Sequence, residues 1–125
     1  MTENELSKIV VDSAFRIHKI IGPGLFESVY EEVLSYELTK QGLQIQRQKL
    51  IGITYDEIKL DLGFKADIIV NDKLIIEIKS IETIAYVHQK QLLTYLRLTN
   101  MKLGLLINFN VGLIKDGIHR IINTL

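Results

Sequence analysis

Apolar residues recur at helical spacing from the start of the chain. Leu6, Ile9, Val10, Ser13, Ala14, Ile17 and Ile21 fall on one mainly apolar face, which predicts a helix from about Glu3 to Ile20. Thr2, followed three residues later by Glu5, has the spacing of a capping box. Gly22-Pro23-Gly24, which holds the only proline, stops this helix. A second helix is predicted from Leu25 to about Lys40, with Gly42 as the residue just past its end. Its apolar arc is Leu25, Phe26, Val29, Tyr30, Val33, Leu34 and Leu38, and Ser28, Glu31, Glu32 and Ser35 fill the other side.

The period then changes to two. Ile45, Arg47, Lys49, Ile51 and Ile53 alternate with Gln44, Gln46, Gln48 and Leu50. Tyr55-Asp56-Glu57 reads as a hairpin turn, with a return strand from Ile58 that ends at Gly63. Further strands are expected at Phe64–Val70 and, after an Asn71-Asp72 turn, at Leu74–Lys79, giving an antiparallel meander. A third helix fits Ile84–Thr99. The apolar run Leu103–Phe109 reads as a buried strand, and Ile118–Ile122 as a short last one. The order α-α-β-β-β-β-α-β-β describes an α/β (α+β) domain in which helices flank a mixed sheet.

Composition adds boundaries to this picture. A chain of 125 residues suits one domain, here residues 1–125, and can bury a true core without staples. There is no cysteine, so disulfides and thiolate metal sites are excluded. No apolar run approaches the roughly 18 residues of a membrane span. The acidic start Met1-Thr2-Glu3-Asn4-Glu5 is unlike a secretory signal, so a cytoplasmic protein is expected. Net charge is zero, which counts mildly against non-specific nucleic-acid binding. The charge is nonetheless unevenly spread. Residues 1–37 hold seven acids against Lys8, Arg16 and Lys19, whereas residues 83–115 hold Lys90, Arg97, Lys102 and Lys115 and no acid. Such a split marks either a charged face or blocks that mix on folding.

The candidate chemistry lies on two neighbouring strands. Alternation puts Ile75, Glu77 and Lys79 on one face of an otherwise apolar strand. On the strand before it, Phe64, Ala66, Ile68 and Val70 are expected to share one face, and Lys65, Asp67 and Ile69 the other. A hairpin at Asn71-Asp72 would bring Asp67 beside Glu77. Two close carboxylates repel, and burying them is costly unless they are paired or coordinated. A divalent cation resolves this, because Mg²⁺ and Mn²⁺ prefer oxygen donors. Lys79 would then orient or deprotonate an attacking water. The triplet Glu-x-Lys is weak by itself, and the chain holds a second, Glu57-Ile58-Lys59, at a polar hairpin tip with no aspartate on a paired strand. On spacing alone, a cross-strand salt bridge on a solvated face explains Glu77 and Lys79 as well.

Glu27 falls at the edge of the second helix's apolar arc, so its carboxylate is expected to turn inward. Glu37 lies in the same arc and reads as structurally paired. On the third helix His88, Gln91 and Tyr95 lie on the core side, either as satisfied core polars or facing the same site. His18 and His119 stand alone, and His18, near a helix end, reads as a capping or packing residue. No nucleophile elbow and no phosphate-loop motif is present.

The run from His18 to Tyr30, with Gly24, Glu27 and Tyr30 at its signature positions, resembles the opening of the GxxExxY proteins of the PD-(D/E)XK nuclease superfamily. The likeness continues through Gly63–Asp67, Ile76–Lys79, His88–Leu96, Leu103–Phe109 and Ile118–Ile121. It implies a restriction-endonuclease-like core of helix, three-stranded meander, helix and strand. It implies that Asp67 and Glu77 bind Mg²⁺ or Mn²⁺, with the Ile78 carbonyl as a further ligand and Lys79 as the catalytic lysine. Glu27 is implied as an additional acid and Gln91 as a polar helper. Lys65-Ala66 precede Asp67, so the literal Pro-Asp is absent. The resemblance implies a metal-dependent nuclease acting on DNA or RNA. The competing reading is a catalytically silent nuclease-fold module that binds nucleic acid or a protein partner. A homodimer is left open.

Overall fold

The computed structural model describes residues 1–124. Helix α1 spans Glu3–Ile21. Its capping box is formed reciprocally: Glu5 N donates to Thr2 Oγ1 and Thr2 N to Glu5 Oε1, both at 3.2 Å. It stops at Gly22, whose φ of 70° suits a residue without Cβ. Helix α2 spans Glu27–Lys40, starting two residues later than the periodicity suggests. Phe26 is extended, and it, Leu25 and Val29 remain exposed, while Tyr30, Leu34 and Leu38 are buried. Gly42 (φ 86°) follows α2 in a Schellman ending: Gly42 N donates to Thr39 O and Leu43 N to Leu38 O.

Strands β1 (Ile45–Tyr55), β2 (Ile58–Val70) and β3 (Leu74–Lys79) form an antiparallel meander. Asn71 and Asp72 (φ 51° and 54°) turn β2 into β3, closed by Lys73 N donating to Val70 O at 3.0 Å. Helix α3 (Tyr86–Thr99) crosses over to β4 (Leu103–Asn108), parallel to β3. A 3₁₀ turn at Ile114–Gly117 leads into the antiparallel edge strand β5 (Ile118–Ile122). The sheet order is β1-β2-β3-β4-β5. Helices α1 and α2 pack with Ile68, Val70, Ile76, Ile78, Leu105 and Ile107 on one face. Helix α3 packs with Phe64, Ala66, Ile69, Ile75 and Leu106 on the other.

Two expectations fail here. Gly63 does not end a strand, so there are five strands rather than six. The strand continues through Gly63, which pairs with Gly52 just before the register shifts to Ile53↔Leu60, and a Cβ on Gly63 would collide with the Ile51 carbonyl oxygen. The glycine permits close approach of two backbones. Gly63→Ala is therefore expected to lower stability by about 1–3 kcal/mol, read as a lower urea midpoint with early loss of amide protection in the β1–β2 arm.

The second failure is the face assignment. Phe64 and Ala66 do not share a face with Ile68 and Val70; the first pair packs beneath α3 and the second beneath α1 and α2. The reversal falls at Asp67. Its partner position on β1 is Gln48, whose φ is 49°, and the two are missing from the register, which runs Arg47↔Ile68 and then Lys49↔Ala66. A non-glycine residue in this left-handed region costs about 1–3 kcal/mol. The twist there switches which face the following residues meet.

Candidate metal and active site

The site grows out of this irregularity. The β2–β3 ladder runs Val70↔Leu74, Ile69↔Ile75 and Ile68↔Ile76, and then the strands separate. Side chains take over the bonds the backbones no longer make. Asp67 N donates to Glu77 Oε2 at 2.9 Å, and Ile78 N donates to Asp67 Oδ2 at 2.8 Å. Each carboxylate is thus fixed by a backbone N–H of the opposite strand.

Glu77 is buried, at 7% exposure, within a strand whose other buried positions are apolar. Burial and then the Asp67 carboxylate push its carboxyl from the usual 4.5 up to about 8, against the pull of the Asp67 N–H and the Lys79 ammonium. Asp67 is also raised, mainly by burial, with Glu27 adding to it; the Ile78 N–H, Gln48 and Lys79 act the other way. The solvated salt bridge that spacing allowed is not formed: among the described residues Lys79 makes no ion pair with either acid.

Glu27 is exposed in the first turn of α2, rather than turned into the core. Its Oε2 accepts from Ser80 N at 3.2 Å, while Ser80 Oγ donates to Leu25 O at 2.6 Å. The start of α2 is thereby tied to the residue after Lys79. Glu27 does not close a three-acid cage, and among the described residues no three Asp, Glu or His side chains group closely enough to hold one ion. Tyr30 anchors the loop before Glu27. Its hydroxyl donates to Gly22 O at 2.6 Å and accepts from Leu25 N at 3.2 Å, and its ring stacks on Phe109 at 4.4 Å. Tyr30→Phe strands both backbone groups and is expected to cost about 1–2 kcal/mol in urea unfolding.

Helix α3 contributes unevenly. Tyr95 stacks on Phe64 at 3.6 Å, and its hydroxyl is raised by burial and then by the charges of Glu77 and Asp67, so it lies against the site. His88 instead closes the start of α3, accepting from Ala85 N at 2.9 Å through Nδ1. Gln91 is exposed one turn before Tyr95. His18 is buried and bonded to Val111 O at 2.8 Å, a packing role as expected, and Glu37 pairs with Arg16 and Lys40.

The sequence reading missed Glu31, Arg47 and Gln48. Glu31 and Ser35 are buried, not on a solvated side of α2. Glu31 Oε2 accepts from Arg47 Nε and Nη2 at 3.1 and 3.0 Å, and its Oε1 from Gln48 Nε2 at 2.6 Å. Gln48 Nε2 also reaches Asp67 Oδ1 at 3.2 Å. A signal was present: Glu27 and Glu31 are four residues apart, so both lean toward the same side of the helix.

A mixed five-stranded sheet with helices on both faces, carrying this acid pair and lysine, has a restriction-endonuclease-like architecture. Residues 4–121 match the family model of the PD-(D/E)XK nuclease superfamily, and the chain belongs to that superfamily. Comparison with curated proteins and with solved structures found no match. Among the described residues no helix is long and apolar enough to cross a membrane.

Proposed function

We propose that the chain is a Mg²⁺- or Mn²⁺-dependent nuclease that hydrolyses phosphodiester bonds of DNA or RNA. The observation that carries this reading is the pairing of half-buried Asp67 with buried Glu77 at the parting of β2 and β3, with Lys79 two residues further along β3. The donor set fits a hard divalent cation: two carboxylates whose negative charge is poorly relieved, each with unused lone pairs. Asp67, Glu77 and the Ile78 carbonyl would hold it, while Glu27, bonded to Ser80 N, stands outside this ligand set and borders it from α2. Such a cation neutralises charge building on the phosphoryl oxygens and acidifies water.

The remaining work falls to the chain itself. Lys79 orients the attacking water and stabilises its developing negative charge. Gln91, exposed on α3, contacts the nucleic acid beside the scissile bond. A cytoplasmic setting belongs to the same reading. The test is cleavage of single- and double-stranded DNA and RNA by purified protein, with Mn²⁺ or Mg²⁺ and with chelator. Metal-stimulated cleavage supports the proposal. No cleavage on any substrate, together with no Mn²⁺ uptake by calorimetry, sinks it and leaves the silent binding module.

A further inference from the structure

The Gln48 amide lies between two acids on different elements, Glu31 of α2 and Asp67 of β2. Its two hydrogens serve one carboxylate each. Glu31 cannot drift, because Arg47 grips its other oxygen with two N–H groups and also bonds Glu32 at 2.7 Å. The amide has one workable orientation, since turning it over would set its carbonyl oxygen against both carboxylates. Asp67 is then held at both oxygens, by Ile78 N on one side and Gln48 on the other. The backbone adopts a left-handed conformation at Gln48 and gives up the Gln48–Asp67 ladder position to present this amide.

We infer that Gln48, clamped by Glu31 and Arg47, is a positioning residue that fixes the Asp67 carboxylate for the divalent cation. This rests on the metal-binding reading of Asp67 and Glu77 above. A neutral amide suits the task. A lysine or arginine in its place would satisfy Asp67 and compete with the cation, and a carboxylate would repel Asp67. An amide fixes the rotamer and leaves the negative charge available. Groups that orient metal ligands in this way typically change metal affinity 10- to 100-fold when removed.

Mn²⁺ titration calorimetry on the full chain tests this with two variants. Gln48→Met keeps the length and removes the amide. Gln48→Asn keeps an amide that is one methylene too short, and asparagine tolerates the left-handed backbone better than most residues. Both are expected to bind Mn²⁺ about 10- to 100-fold more weakly than the wild type. Retained affinity in Gln48→Asn would mean that only the backbone conformation matters and would overturn the inference. So would affinities within about twofold of wild type in both variants. Absence of Mn²⁺ uptake by the wild type itself overturns the metal reading, and this inference with it.

Discussion

Asp67→Asn is expected to lower metal-stimulated cleavage by about 10²- to 10⁴-fold, the rate equivalent of several kcal/mol of lost transition-state stabilisation. The substitution keeps the shape of the side chain and removes its charge. It also removes an acceptor. Asp67 accepts at Oδ2 from Ile78 N and at Oδ1 from Gln48 Nε2, and an asparagine can accept at only one of the two positions. Stability should not fall in step, because the variant also relieves the repulsion that helps to raise Glu77. Loss of cleavage with little change in the metal-free melting temperature separates a functional carboxylate from a structural one. Glu57→Gln is the matched control. It alters the other Glu-x-Lys triplet, in the exposed turn between β1 and β2, and should leave cleavage unchanged. Equal cleavage by wild type and Asp67→Asn would remove Asp67 from the site.

Much of this arrangement is legible in the residues, because local chemistry decides it. The Thr2–Glu5 box, Gly42 after α2 and the Asn71-Asp72 turn act within a few positions, and each behaves as read. The alternation of β3 places Glu77 and Lys79 correctly for the same reason. What escaped is decided between strands. Gly63 looks like punctuation until the Ile51 carbonyl stands against it. Gln48 continues the alternation of Gln44 and Gln46, and nothing local announces a left-handed backbone there. That one conformation defeats the period-two rule for β1 and β2 together. The burial of Glu31 escapes local pattern for a related reason: its partners, Arg47 and Gln48, come from β1 and meet it only once the strand crosses α2.

The same acid pair makes the stability of the metal-free protein depend on pH in an unusual direction. In the unfolded chain Glu77 titrates near 4.5; in the fold it is pushed up to about 8. The folded state therefore holds this proton more tightly than the unfolded state does. The stability it contributes is present in full below about 4.5 and is lost as pH rises through about 8. Asp67, also raised by burial, acts in the same sense. The loss from Glu77 is on the order of a few kcal/mol. Carboxylates that bind a cation must first lose their protons, so metal binding strengthens over the same interval. The expected result is a melting temperature in chelator that falls between about pH 5.5 and 8.5, and a Mn²⁺-induced rise that is small at the lower value and large at the higher. Asp67→Asn should flatten both trends, since it removes the second-largest cause of the Glu77 shift. Thermal melts of the two proteins, with chelator and with Mn²⁺ at several pH values, measure this directly. If the Mn²⁺-induced rise is equal at both ends of the range, or the metal-free wild type grows more stable than Asp67→Asn as pH increases, then the two carboxylates do not form the coupled, proton-competing pair that a cation would displace.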